Sequence, residues 1–154
     1  MKCGFLYTVY LGCAGRRHSD GFGALYPPDL PEDWQFAFYQ TQFRCVWLDA
    51  VAWQSLDEAT WVAMAADVTG DFRFVLEGRP DEIPPALHRM LGERLVVLAP
   101  DSPMRVSVGP ETDLRALAAR LQTATLSEPV FLIMEPLALA RKDEVELLME
   151  MLGL

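Results

Sequence analysis

Five short apolar runs restrict most strongly how this chain can fold. Each has four to seven residues and is rich in branched or aromatic side chains. The runs are Phe5–Leu11, Cys45–Leu48, Phe72–Leu76, Leu95–Leu98 and Val130–Met134. A strand that is apolar on both sides has to be covered on both sides, as in a parallel sheet surrounded by helices. The sequence therefore predicts five buried strands.

A sixth segment, Met104–Val108, alternates between apolar and polar residues. Its Met and Val side chains face one side, whereas Arg105 and Ser107 face the other. Alternation with a period of two residues is typical of a strand that is covered on one face. We therefore expect an edge strand or one arm of a hairpin here.

Amphipathic helices are predicted in the connections between the runs. Pro31 suits the first turn of one helix, and Ser55–Glu58 has the form of a capping box that begins another. Apolar residues recur at helical spacing after Leu114 and again after Val145. Strands that alternate with helices are typical of α/β proteins, in which right-handed crossovers join parallel strands. The expected fold class is α/β, with a mainly parallel sheet and outer helices.

Size and charge limit the kinds of partner. A chain of 154 residues is expected to form a single α/β domain, residues 1–154. Its 13 Lys and Arg stand against 22 Asp and Glu, which gives a net charge of −9. Nucleic acids and anionic membranes attract basic surfaces, so neither is expected as a partner. No apolar run reaches the roughly 18 residues that a membrane span requires.

The cysteines and histidines are too few and too scattered for a zinc site. Cys3, Cys13 and Cys45 show no C-x-x-C spacing, and the histidines are His18 and His88. Buried, reduced thiols are typical of a cytoplasmic protein, and no metal or cofactor is expected. The first apolar run is short and contains a threonine, so we do not expect it to be a secretory signal.

Several short motifs in the first half of the chain follow one another in a distinctive order. They are Leu11–Gly15, Tyr26-Pro27, Phe38-Tyr39, Phe43–Val46, Trp61 and Phe72–Phe74. In this order they resemble the YecE-like family, domain of unknown function 72, over residues 5–78. The resemblance implies a TIM-type barrel. It implies no activity, because the family has no established one.

Three positions depart from the pattern of the family. Arg16 stands where the family has Trp, Trp47–Asp49 where it has Glu-Ile-Asn, and Glu77 where it has Lys. These positions follow predicted strands, where barrel enzymes assemble their sites. A closed eightfold barrel also needs at least about 200 residues. We therefore expect a truncated TIM-barrel-like fold: a shortened barrel, an open sheet, or half of a barrel that a second copy completes.

Polar residues just past parallel strands converge on one mouth of the fold. The predicted ligand-binding residues at this mouth are Arg16, Arg17, His18, Asp49, Glu77, Arg79 and Glu135. The turn Gly12–Gly15 and the basic residues after it offer N–H and guanidinium donors to an anion. Cys13 is a candidate nucleophile and His18 a candidate general base. Two alternatives remain: a Mg²⁺ or Mn²⁺ site formed by the acidic residues with Asp101, or a solvated rim without function.

Two functions remain open from the sequence. The first is a degenerate, non-catalytic interaction module that self-associates as a homodimer or larger homo-oligomer, through its last helix or an exposed sheet edge. The alternative is an enzyme or binding protein for a small polar or anionic ligand, with its site at the carboxyl ends of the strands. There is no G-x-S-x-G motif and no nucleotide fingerprint. The sequence does not decide whether the protein is an enzyme.

Overall fold

Six parallel strands form one sheet. The computed structural model of the protein describes residues 5, 7–15, 22–123 and 128–154. The strands are β1 (Val9–Ala14), β2 (Cys45–Leu48), β3 (Arg73–Glu77), β4 (Leu95–Leu98), β5 (Arg105–Val108) and β6 (Val130–Met134). Their order across the sheet is β4-β3-β2-β1-β6-β5, and every neighbouring pair is parallel. β1 is therefore central, and β4 and β5 are the two edges.

Helices fill most of the connections between strands. They are α1 (Gln35–Gln42), α2 (Ala50–Ser55), α3 (Glu58–Asp67), α4 (Pro85–Leu91), α5 (Leu114–Gln122) and α6 (Lys142–Met151). Short 3-10 turns precede α1 at Glu32–Trp34 and α6 at Pro136–Arg141. The connection from β4 to β5 is the exception, since it has six residues (99–104) and no helix.

The sheet curls into part of a barrel. Cα atoms of β2 and β6, which lie on either side of β1, approach within 8 Å of each other. In a flat sheet two strands separated by a third would be about 9.5 Å apart. The predicted fold class is confirmed: the chain forms an α/β half-barrel of parallel strands with helices around it.

Both faces of the curled sheet are apolar, as the continuous runs predict. The outer face packs against the helices, with Leu76 and Leu132 of the sheet in one core with Trp61 and Val145. The inner face forms a second core inside the curl. Its buried residues are Tyr10, Cys45, Trp47, Val75, Val96, Leu98, Phe131 and Ile133. The inner face is the one that a ligand of the barrel interior would meet.

Side chains fill the amino end of the interior. The Tyr10 hydroxyl donates to the carboxylate of Asp71, and the guanidinium of Arg73 lies 2.7 Å from that same carboxylate. Arg73 also donates to the Glu93 carbonyl at 2.6 Å and lies over the ring of Phe5 at 4.4 Å. Since Arg73 is only 4% exposed, this end of the half-barrel is occupied by protein.

Three of the predicted strands differ from the structure in their bounds. The third strand in the sequence is Arg73–Glu77 and not Phe72–Leu76. The first strand is Val9–Ala14 and not Phe5–Leu11, because Gly12 to Ala14 pair with β2. Tyr7 lies outside the strand, under the guanidinium of Arg44 at 3.7 Å. The segment Met104–Val108 contains the edge strand β5, which confirms one of the two alternatives. The other alternative, a hairpin, is wrong, because β5 pairs with β6 in parallel.

The predicted capping box was also wrong. Ser55 is the last residue of α2, and its hydroxyl donates to the carbonyl of Ala52 at 2.9 Å. Asp57 caps α3 instead, because its carboxylate accepts the N–H of Thr60 at 2.8 Å. An acidic N-cap satisfies a free N–H of the first turn as well as serine does.

Candidate functional site

The least buried strand residues of the inner face lie on β5. The register places Arg105 and Ser107 beside Phe131 and Ile133 of β6, on the inner face. The inner side chains of β2, β4 and β6 are buried, whereas Ser107 is exposed and Arg105 is half-buried. We call the space bounded by Trp47, Arg105, Ser107, Gly109 and Glu135 the β5 cleft.

Arg105 is the most unusual group in the β5 cleft. Its guanidinium carbon lies 4.5 Å from the centre of a Trp47 ring, which is a cation–π contact. Its Nε is buried and has no hydrogen-bond partner. Within the part of the chain that the structure describes, no carboxylate forms an ion pair with it. A buried N–H without an acceptor is costly, and a guanidinium is best satisfied by a carboxylate or phosphate.

Glu135 supplies a negative charge to the same cleft. It directly follows β6, and its N–H donates to the Val108 carbonyl at 2.9 Å. Its carboxylate lies beside Gly109, where a Cβ atom would stand 3.3 Å from Oε2. The side chain is exposed, and no described residue binds its carboxylate. Arg105 and Glu135 thus carry opposite charges on neighbouring strands without pairing.

Arg141 fixes the loop that follows β5. Its guanidinium donates to the carbonyls of Pro110 at 3.2 Å and Thr112 at 2.9 Å. The hydroxyl of Thr112 accepts the N–H of Gly109 at 2.8 Å. Because Arg141 belongs to the turn before α6, these bonds hold Gly109 next to Glu135 at the end of β6.

Two of the predicted site residues, Asp49 and Glu77, bind backbone N–H groups of α2. Glu77, on the inner face of β3, accepts the N–H of Ala50 at 2.8 Å, and its own carbonyl accepts the Trp53 indole N–H at 2.9 Å. Asp49 caps α2 by accepting the N–H of Ala52 at 2.8 Å. Both carboxylates have structural partners, so neither is free in the way that Glu135 is.

Among the described residues, no contact brings Arg79 to the β5 cleft. Arg79 is 73% exposed and lies 3.7 Å from Asp81 and 3.9 Å from Glu82. Arg16, Arg17 and His18 lie outside the described residues. Glu135 is therefore the predicted residue that the structure places in this cleft, and the ligand-binding role of the whole set stays a prediction.

The candidate nucleophile is a buried thiol. Burial raises the pKa of Cys13 to about 12, which leaves it protonated at neutral pH. Its N–H donates to the Tyr39 hydroxyl at 2.9 Å, and that hydroxyl donates to the Cys45 carbonyl at 2.6 Å. Cys13 and Cys45 are free, as expected, whereas Cys3 lies outside the described residues.

The alternative metal site gains no support from the structure. Among the described residues, no three His, Cys, Asp or Glu side chains are grouped closely enough to hold a metal ion. Asp49 and Glu77 of that predicted set accept backbone N–H groups instead. Nor does any helix in the described ranges have the length and apolar character that crossing a membrane requires.

Sequence reasoning did not identify Arg105 and Trp47 as partners. The signal was present, because the alternation in Met104–Val108 puts Arg105 and Ser107 on the face opposite the valines. The pattern does not say which of the two faces is inside the curl. That depends on the parallel pairing of β5 with β6.

The fold and the cleft define a class of protein: an open, parallel α/β barrel with an arginine on its inner face that has no ion-pair partner among the described residues. Residues 10–79 match the model of a family described as a protein of unknown function, DUF72. This match confirms the resemblance to the YecE-like family, and its partial coverage fits a shortened member. No curated protein and no solved structure matches the chain significantly. Trp47 lies inside the matched segment, whereas Arg105 and Glu135 lie beyond it.

Proposed function

We propose that the protein binds a small anionic molecule in the interior of the half-barrel, at the β5 cleft. The observation that carries the proposal is the buried Nε of Arg105, which lacks an acceptor while its guanidinium stacks on Trp47. A carboxylate or phosphate would accept this N–H and at the same time neutralise the charge. Exposed Ser107 beside it indicates that there is room for such a group.

Comparison with Arg73 shows how Arg105 differs from an arginine that has a structural role. It also lies on the inner face, and its charge is matched by Asp71 at 2.7 Å and by the Glu93 carbonyl at 2.6 Å. Buried guanidinium groups are normally satisfied in this way, because an unpaired buried charge is strongly unfavourable. Arg105 has no such set of partners among the described residues, which supports a ligand as its partner.

The proposal is for binding and does not extend to a reaction. Cys13 is protonated at neutral pH, and the carboxylates of Asp49 and Glu77 are held by backbone N–H groups. The described part of the β5 cleft therefore contains a recognition group without an activated nucleophile beside it.

Thermal unfolding in the presence of small oxyanions tests the proposal. We expect phosphate or a short carboxylate to raise the Tm of the unmodified protein, because a ligand that binds only the folded state stabilises it. Arg105→Gln should abolish this rise. Arg79→Gln is the matched control, since it removes an exposed guanidinium that lies against Asp81 and Glu82. A rise that persists in Arg105→Gln, or no rise with any oxyanion at millimolar concentration, would contradict the proposal.

Self-association is the second candidate, and α6 favours it. Leu147 and Met151, one turn apart, are 57% and 76% exposed, whereas Val145 and Met149 of the same helix are buried. A second copy that packs α6 against α6 would cover both side chains. The edge strand β4 gives less support, because its inner residues Val96 and Leu98 are already buried within one copy.

Sedimentation velocity tests the second candidate. We expect a dimer at micromolar concentration that strengthens with added salt, because salt screens the repulsion between two chains of charge −9. Leu147→Gln combined with Met151→Gln should give a monomer. Val62→Gln is the control, since it changes another exposed apolar side chain, on α3. A monomer for the unmodified chain would exclude the candidate.

A further inference from the structure

The two free charges of the β5 cleft are opposite in sign and stand on adjacent strands. Arg105 is the first residue of β5, and Glu135 follows the last residue of β6. β5 and β6 pair in register from Arg105 with Phe131 to Val108 with Met134. The Cα atoms of the two residues therefore stand toward opposite ends of one strand pair, on its inner face, and the Arg105 guanidinium reaches the ring of Trp47 at 4.5 Å. Neither side chain has an ion-pair partner among the described residues.

The residues between the two charges leave space. Ser107 is exposed on the inner face and carries a hydroxyl that can both donate and accept. Gly109 has no side chain, and a Cβ atom there would lie 3.3 Å from Oε2 of Glu135. Arg141 holds the Gly109 loop in place through the carbonyls of Pro110 and Thr112. The β5 cleft thus carries one cationic side chain, one anionic side chain and a hydroxyl on the same inner face.

We infer that the ligand is a small zwitterion, whose carboxylate or phosphate is bound by Arg105 and whose protonated amine is bound by Glu135. This inference rests on the proposed anion site and names its ligand class. A ligand with an anionic group alone would satisfy Arg105 but would be repelled by the carboxylate of Glu135. A ligand with both charges offers a partner to Arg105 and to Glu135. Charge-assisted hydrogen bonds of this kind are stronger than those between neutral groups.

Calorimetric titration with matched probes tests the inference. 4-Aminobutyrate carries both charges, butyrate carries only the anion and butylamine only the cation; glycine and β-alanine vary the distance between the charges. We expect at least one zwitterion to bind at least about tenfold more tightly than butyrate, because Glu135 adds a charge-assisted hydrogen bond to the amine. The zwitterion that binds most tightly indicates the distance between the Arg105 and Glu135 side chains.

Single variants test which residue binds each charge of the ligand. Glu135→Gln should remove the advantage of the zwitterion and leave butyrate binding equal or stronger, whereas Arg105→Gln should abolish binding of both. Glu58→Gln, which changes an exposed carboxylate on α3, is the control and should bind like the unmodified protein. Circular dichroism confirms that each variant is folded before its titration is interpreted.

The outcomes distinguish the inference from the proposed function. Equal affinities for 4-aminobutyrate, β-alanine, glycine and butyrate, unchanged by Glu135→Gln, would overturn the zwitterion and leave the anion site standing. Zwitterion binding that survives Arg105→Gln would overturn the anion site itself. If no probe binds the unmodified protein at millimolar concentration, both fail.

Discussion

Gly12 shows how closely single residues are fitted in this sheet. A Cβ atom at this position would lie 2.1 Å from the carbonyl oxygen of Cys45 and 2.5 Å from its Sγ. The carbonyl is backbone of the paired strand β2 and cannot rotate away. Gly12 is therefore required by the approach of β1 to β2.

Gly12→Ala is expected to lower the free energy of unfolding by about 3 kcal/mol or more, because overpacking against backbone has to be relieved by moving a strand. Urea unfolding measures the change. Gly70→Ala is the matched control: Gly70 has φ +59° and nothing within 4 Å of its Cβ position, so only the left-handed backbone costs about 1–2 kcal/mol. Equal losses in the two variants would contradict the account of Gly12.

Tyr10 sets an alkaline limit on stability. Burial, and then its hydrogen bond with Asp71, raise the pKa of Tyr10 from 10.0 to about 12. Because the pKa is higher in the folded state, the contribution of Tyr10 to stability is complete below pH 10 and is lost as the pH rises through about 12. Cys13 acts in the same direction, since burial raises its pKa from 9.0 to about 12.

We expect the urea midpoint to fall between pH 10 and pH 12, with the tyrosinate absorbance of Tyr10 developing together with unfolding. Tyr10→Phe should be less stable at neutral pH, because Asp71 loses the Tyr10 hydroxyl and keeps only Arg73 of these two donors. Its midpoint should also fall less steeply over the same pH range, with Cys13 responsible for part of what remains. An equal fall in both proteins would show that Tyr10 does not set the limit.

Among the secondary-structure elements, Arg141 links two that are far apart in sequence. From the turn before α6 it donates to the carbonyls of Pro110 and Thr112 in the loop after β5. Arg141→Ala should therefore speed amide hydrogen exchange of Gly109, Glu111 and Thr112 and lower stability by about 1–2 kcal/mol. Arg79→Ala is the control, since its guanidinium is 73% exposed. Unchanged exchange in the loop would show that other contacts hold it.

Strands were predictable where the apolar run and the paired segment coincide. Cys45–Leu48, Leu95–Leu98 and Val130–Met134 have the same bounds in sequence and structure. A polar residue or Pro flanks each run on both sides, except that Ala99 separates Leu98 from Pro100. The first strand is displaced because pairing, and not the apolar run, sets its limits: it begins where Val9 pairs with β6 and ends where Ala14 pairs with β2. α2 was not predicted, because a helix of six residues is too short to show a helical pattern of apolar residues. Its N-cap, Asp49, was interpreted as a site residue instead.

The site was less predictable than the fold. Glu135 was foreseen because any residue after a parallel strand reaches the same mouth. The contact of Arg105 with Trp47 joins the edge strand β5 to β2, across β6 and β1. Such a contact follows from the curl of the sheet, which a local pattern of alternating residues does not contain.

For the molecule as a whole, the interior of the shortened barrel is divided. Tyr10, Asp71 and Arg73 fill its amino end with mutually satisfied polar groups. Along β5 the inner face is partly exposed, and there Arg105 and Glu135 have no hydrogen-bond or ion-pair partner among the described residues. A sheet of six strands thus buries most of its interior within one copy and leaves one cleft with unmatched charges.

The central claim is that the Nε–H of Arg105 is the group that a ligand oxyanion binds. Proton–nitrogen correlation spectra resolve arginine Nε–H groups, and Arg105→Lys identifies the Arg105 signal by its loss. On titration with phosphate or 4-aminobutyrate, we expect this signal to shift and saturate while that of Arg73, bound by Asp71 at 3.0 Å, stays in place. An Arg105 signal that does not move, or that moves no more than that of Arg73, would contradict the claim.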